Sequence, residues 1–167
     1  MKKFKRLFVY VIAIVLIIID QIIKLGIINN LKGNSISIIK GILKFTYCEN
    51  EGVAFSLGSG HVPVFIIVTL ILVGGLIFYF EKNRKDFNII GKMFFIMVIS
   101  GGISNLLDRI FRGFVVDFID ISDFIGFAIF NVADILIVAG MIGLSGYLFY
   151  RSILEVRPQI EKKEKEK

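Results

Sequence analysis

The sequence predicts an all-α membrane protein of four transmembrane helices with a small extracytoplasmic β element. Three observations carry this. The 167 residues are 56% hydrophobic, and a mean hydropathy of +0.80 is too apolar for a soluble core of this size. Four apolar runs are each long enough to cross about 30 Å of hydrocarbon as a helix. The basic residues collect at the ends of those runs, where they orient spans, and form no patch interleaved with polar faces. That placement also argues against nucleic acid as the reason for a formal charge of +6.

The first run opens with Lys2, Lys3, Lys5 and Arg6 and is uninterrupted apolar sequence from Leu7 to Ile19. It has the look of a secretory signal, but no small-residue cleavage site follows. The run continues past Asp20, Gln21 and Lys24 to about residue 28, so it reads as an uncleaved first span (7–28). The first outer loop (29–61) alternates at Ser35-Ile36-Ser37-Ile38 and again at Leu43-Lys44-Phe45-Thr46-Tyr47, predicting two short strands on the membrane surface. The second span (62–80) has no charge, and Pro63 suits its first turn. Gly74-Gly75 within it is expected to let helices pack closely. The third span runs from about 89 to 107, and the fourth from about 126 or 131 to 150. A polar tail from about 158 to 167 reads as disordered and solvated. One domain covering 1–167 is the default at this length.

Most of the 20 basic residues flank the termini and the loop holding Lys82, Arg84 and Lys85. Both termini are therefore expected to be cytoplasmic. Asp20 then lies in the outer half of span one. Asn105, Asp108 and Arg109 end span three on the outer side, Asp117 occupies the following outer loop, and Asn131 and Asp134 begin span four. Charge beside or within a span costs about 2.5–3.5 kcal/mol on insertion scales, so it commonly marks a working site.

Two carboxylates close together in a poorly solvated site cannot both ionise easily. One can then take a proton from water while the other donates one, which makes Asp117 and Asp134 the candidate pair. The same residues also fit a plain helix start, with Asn131 as N-cap, Asp134 as a first-turn charge and Asp117 as an ordinary loop acid. Asp20 and Lys24, four apart, form either a functional ion pair or the neutralisation that lets the span insert. Asn105, Asp108 and Arg109 share a helix face, which also suits a solvated helix end. Asn50 and Gly52 suit a loop that approaches a ligand with its backbone, or a turn. The single histidine, His61, reads as interfacial, and the single cysteine, Cys48, as a buried small side chain. With one of each, a multi-cysteine or two-histidine metal site is excluded within one chain. The chemistry is left to carboxylates, amides and basic side chains.

Taken together, these pieces resemble the lipoprotein signal peptidase (signal peptidase II) family. Asp20-Gln21-Ile22-Ile23-Lys24 is similar to the family's D-Q-x-x-K, Asn50 to Phe55 to N-x-G-x-A-F, and Ser104 to Arg109 to G-N-x-x-D-R. Val116-Asp117-Phe118 is similar to V-D-F, and Phe130 to Asp134 to F-N-x-A-D. Ser104 stands where the family usually has glycine. The resemblance, over about residues 7 to 150, implies an aspartic endopeptidase of the bacterial cytoplasmic membrane, working at the outer face. It would remove signal peptides from diacylglyceryl-modified prolipoproteins, cutting just before the lipidated cysteine. Asp117 and Asp134 match the catalytic dyad; Asp20, Lys24, Asn50, Gly52, Asn105, Asp108, Arg109 and Asn131 match supporting or substrate-contacting positions. No metal or cofactor is implied, the partners are the lipoprotein substrates and membrane lipid, and a monomer is expected. The alternative is a small proton- or cation-coupled transporter. That predicts acids near the midplane and an internal repeat, neither of which the sequence shows. A non-enzymatic scaffold leaves the amide–carboxylate clusters unexplained, and a Mg²⁺-dependent hydrolase is the remaining rival.

Overall fold

The computed structural model describes residues 2–52 and 61–165, with side chains described over 7–52 and 61–156. Val53, Ala54 and Phe55 of the outer-loop motif lie outside the described residues. Five helices and three strands follow in chain order: α1 (Lys2–Leu31), β1 (Ser35–Ile39), β2 (Leu43–Asn50), α2 (Val62–Asn83), α3 (Ile89–Arg112), β3 (Val115–Asp120), α4 (Ser122–Ile125) and α5 (Val132–Lys165). Among the described residues, four stretches are long and apolar enough to cross a membrane: Leu7–Leu31, Val62–Asp86, Ile89–Arg112 and Val132–Val156.

The third span is the axis of the bundle. In its most apolar stretch 61% of residues are buried, against 17%, 0% and 17% for the first, second and fourth. The others turn exposed apolar side chains such as Ile22, Ile71, Leu72, Phe78 and Ile142 outward, as a lipid-facing surface requires. A core of Val9, Phe80, Phe87, Phe95, Ile96, Ile99 and Leu144 fills one end of the bundle. Ile27 and Leu31 at the end of α1 pack with Val116 and Phe118 of β3 at the other, tying sheet to helices.

Close helix approach is not supplied by Gly74-Gly75, the pair the sequence singles out. Among the described residues, a Cβ on either would meet nothing within 4 Å. Gly101 and Gly143 do this instead: a Cβ on the first would overlap the Ala133 carbonyl oxygen, and on the second the Phe94 ring.

The helix ends have local causes. Asn88 accepts the Gly91 amide and starts α3, and Gly113, at φ 82°, ends it by donating its amide to the Arg109 carbonyl. Pro63 sits in the first turn of α2. The fourth span begins at Val132 rather than at 126, because Gly126 takes a left-handed φ of 64° that closes α4. Phe130 then bridges back to Ile119. The α5 helix runs to Lys165, where the sequence suggests a disordered end.

The sheet is antiparallel in the order β1-β2-β3. Its third strand corrects the sequence reading, which puts Asp117 in a loop. Val115–Asp120 pairs with β2 and is buried along nearly its whole length. After an irregularity between Phe45 and Cys48, Cys48 lies opposite Asp117 and Asn50 opposite Val115. Asp117 is thus aimed by a strand.

Candidate active site

On α1, Asp20, Gln21 and Lys24 face α3. Lys24 is fully buried and sits 2.8 Å from both Asp20 Oδ2 and Asp108 Oδ2. It also donates to Asn105 Oδ1 at 3.0 Å. Asp20 is more than its counter-ion: Oδ1 accepts the Ala133 amide of α5 at 2.9 Å, and Oδ2 accepts the Ser104 hydroxyl at 2.6 Å. Asp108 accepts the Val116 amide of β3 at 3.2 Å and Gln21 Nε2 at 3.0 Å, and pairs with Arg112. Buried charges at this density persist only when paired and hydrogen-bonded, and here each has several partners.

This layer holds a second one. Asn105 Nδ2 donates to Asp134 Oδ1 at 2.7 Å, while its oxygen accepts both Lys24 and Asn131 Nδ2, the latter at 3.2 Å. Asn131 Nδ2 also donates to Asp117 Oδ1 at 2.7 Å, and Asn50 Nδ2 donates to Asp117 Oδ2 at 2.8 Å. Asn50 further accepts the Gly52 amide at 3.0 Å, and Arg109 Nη2 donates to the Gly52 carbonyl at 2.7 Å. The Arg109 guanidinium stacks over Phe65, 5.7 Å from the ring centre.

All ten residues singled out from the sequence therefore belong to one connected network. Sequence reasoning missed three members as site residues in their own right. Gln21 was quoted only within the motif around Asp20, and it bonds Ser104, Asp108 and Arg112. Arg112, four residues after Asp108, was findable from helical ion-pair spacing. The Ser104 hydroxyl was quoted only as a departure from a motif glycine, and its bond to Asp20 needed the structure. The plain helix-start reading of Asn131 and Asp134 is also realised, in the same atoms that serve the network. His61, directly ahead of α2, is exposed. Cys48 is half-buried, and burial pushes its thiol pKa up, which leaves it a poor nucleophile.

Asp117 and Asp134 line the same cavity of about 640 Å³, together with Asn50, Asn105 and Arg109. Its other walls are apolar, from Phe127–Phe130 and from Ile135, Val138, Ala139 and Ile142 of α5. Burial and the neighbouring Asp134 charge raise the Asp117 pKa to about 6, against the pull of the Asn50 and Asn131 hydrogen bonds. No group of three metal-ligating side chains comes together among the described residues.

Four candidate membrane spans and two carboxylates lining one largely apolar cavity are the architecture expected of a membrane-embedded hydrolase of the aspartic type. The comparisons with known proteins take this further. The family model described as signal peptidase (SPase) II matches residues 12–150. The chain is 38% identical over 146 residues to the lipoprotein signal peptidase of Clostridioides difficile, covering 86% of this chain and 97% of that one. It is 37% identical over 158 residues to that of Halalkalibacterium halodurans, covering 93% and 97%. It is also similar to a solved bacterial membrane enzyme at a TM-score of 0.77 and 31% identity, covering 87% of this chain and 89% of that one. The chain belongs to the signal peptidase II family, and the transporter alternative finds no support.

Proposed function

We propose that this peptidase removes signal peptides from diacylglyceryl-modified prolipoproteins, cutting just before the lipidated cysteine, with Asp117 and Asp134 as its catalytic pair. The observation that carries the reading is the convergence of these two carboxylates, each held by amide donors, on one cavity whose far walls are apolar. A lipid-bearing peptide suits such a space: acyl chains lie along the apolar wall while the scissile bond reaches the acids.

One ionised aspartate takes a proton from water, and the water oxygen bonds to the scissile carbonyl carbon. The protonated partner donates to the carbonyl oxygen. The tetrahedral adduct then collapses: the carbon–nitrogen bond breaks and a proton from the dyad goes to the leaving amine. The Asn105 and Asn131 amides are committed to the carboxylates, so they orient the acids. Arg109 lines the cavity; among the described residues Nη2 donates to the Gly52 carbonyl and buried Nε has no partner, so the guanidinium is placed to donate to the oxyanion. Basic residues at both ends of the chain and in the loop between the second and third spans support cytoplasmic termini and a site at the outer face.

The deciding experiment is cleavage of a diacylglyceryl-modified prolipoprotein peptide by purified protein, with EDTA present, followed by mass spectrometry of the released fragment. Cleavage before the modified cysteine by wild type, and none by folded Asp117→Asn and Asp134→Asn variants, supports the reading. Near-full activity in either variant overturns the dyad.

A further inference from the structure

Between β3 and α5 the chain makes an excursion, residues 121–129, that forms one wall of the cavity. Its base is closed by backbone. The Phe118 and Ile119 amides both donate to the Phe130 carbonyl, at 3.0 and 2.7 Å, and the Phe130 amide returns to Ile119 at 3.1 Å. Its outer turn is tied to the sheet by Lys44, 3.0 Å from Asp123 and 3.5 Å from Asp120. A loop pinned at both places ought to hide its apolar side chains, yet this one displays them. Phe124 is 64% exposed, Ile125 58% and Phe127 48%.

Two further facts say what covers them. The excursion ends at Phe130, two residues before Val132, where the fourth span begins, so it sits at the height of the bilayer interface. The α5 wall of the cavity is itself open to the outside: Ile135, Val138 and Ile142 line the cavity and are 46%, 57% and 69% exposed. Those side chains belong to a span, so the cavity opens sideways toward lipid. Aromatic residues beside a span's end are characteristic of the interface, where an apolar body lies in the leaflet.

We infer that the turn carrying Phe124 and Ile125 is seated in the lipid leaflet beside this lateral mouth, as a ramp from the bilayer to the acids. Lys44 holds its height by gripping Asp123. The occupant is the leaflet itself, since exposed Phe127 of the same excursion lines the cavity together with the exposed span residues Ile135, Val138 and Ile142. The inference deepens the peptidase reading and rests on it only for the ramp's role in substrate capture.

The chain contains no tryptophan, so Phe124→Trp and Ile125→Trp each supply a unique fluorescent reporter. The variants are reconstituted into phosphatidylcholine–phosphatidylglycerol vesicles, with and without brominated acyl chains. Phe149→Trp, on a 70% exposed position within the fourth span, gives the in-bilayer reference. A seated turn gives blue-shifted emission, quenching by brominated lipid approaching that of the reference, and protection from aqueous iodide. Emission quenched by iodide and indifferent to brominated lipid overturns the inference. So does emission indifferent to both, which would place another protein surface, such as a second copy, over the turn.

A kinetic arm addresses the ramp. Phe124→Asp with Ile125→Asp should raise KM for a lipidated peptide in vesicles roughly tenfold, with kcat little changed; an unchanged KM overturns that role. Fluorescence reads position without turnover. A wild type that never cleaves would therefore count against the peptidase reading, while the reporter still decides the seat of the turn.

Discussion

Asn131 accepts the Asp134 amide on its side-chain oxygen at 2.9 Å, and Asp134 accepts the Asn131 amide on Oδ2 at 3.1 Å. This reciprocal cap starts α5 and, in the same stroke, fixes the Asp134 carboxylate. The remaining Asn131 group, Nδ2, reaches Asp117. A helix start and half of the proposed catalytic pair are the same structure.

The two roles of Asn131 separate by substitution. Serine caps helices about as well as asparagine, but it has no amide to donate to Asp117. Asn131→Ser should melt within a few degrees of wild type and lose activity by about 10²-fold, mainly in kcat. Asn131→Ala should lose the same activity and about 1 kcal/mol of stability besides. Thermal unfolding in detergent beside cleavage kinetics reads both. A serine variant with normal kcat would show that the Asn131–Asp117 bond is not used.

The helices were legible because apolar runs between basic clusters leave few alternatives, and the buried polar residues stood out against them. Which atom meets which was not legible. The Asp20–Lys24 spacing announces a pair, but nothing local to either says that Lys24 also holds Asp108 or that Asp20 holds the Ala133 amide. Strand β3 was missed because Val115–Asp120 is short and buried along most of its length, so it lacks the alternation that betrayed β1 and β2. Its strand character comes from pairing with residues some 70 positions earlier. The Gly74-Gly75 error has a similar root: a glycine pair permits close packing, but only the bundle decides which face of α2 has a neighbour.

Lys24 lies between two carboxylates with no exposure to solvent. Replacing it by methionine leaves Asp20 and Asp108 buried and facing one another. Breaking a buried pair from one side typically costs about 3–5 kcal/mol, so Lys24→Met should unfold far earlier than wild type. Adding Asp20→Asn should recover part of the loss by removing one stranded charge. A Lys24→Met protein with wild-type melting would mean that the buried charges are not paired as described.

Protonation should set the alkaline side of the activity profile. Burial and the Asp134 charge place the Asp117 pKa near 6. If one shared proton is needed, kcat/KM falls as pH rises above about 6, and the kcat limb lies higher because bound substrate excludes more water. The folded pKa lies above the ordinary value, so Asp117 stabilises the fold at low pH, and that contribution is lost as pH rises from about 4 through about 6. Removing the Asn50 donor with Asn50→Leu takes away a bond that favours the charged form, and the alkaline limb should move upward. A limb that stays in place, or moves down, would separate Asp117 from the titration that controls rate.

Gly101 offers a test from outside the polar network. It lies where α3 passes α5, and a Cβ there would run into the carbonyl oxygen of Ala133, the residue before Asp134. The obstacle is backbone rather than a flexible side-chain end, so Gly101→Ala must push the first turn of α5 away from α3. The Asn105–Asp134 bond of 2.7 Å crosses that interface. A displacement near 1 Å at a reacting group can cost about 10²-fold, so kcat should fall by that order while helix content is retained. Gly74→Ala is the matched comparison: it adds the same methyl to a spanning helix where it meets nothing, and both activity and melting should match wild type. If Gly101→Ala is equally silent, α5 can shift without moving its aspartate, and the positioning assigned to this crossing is wrong.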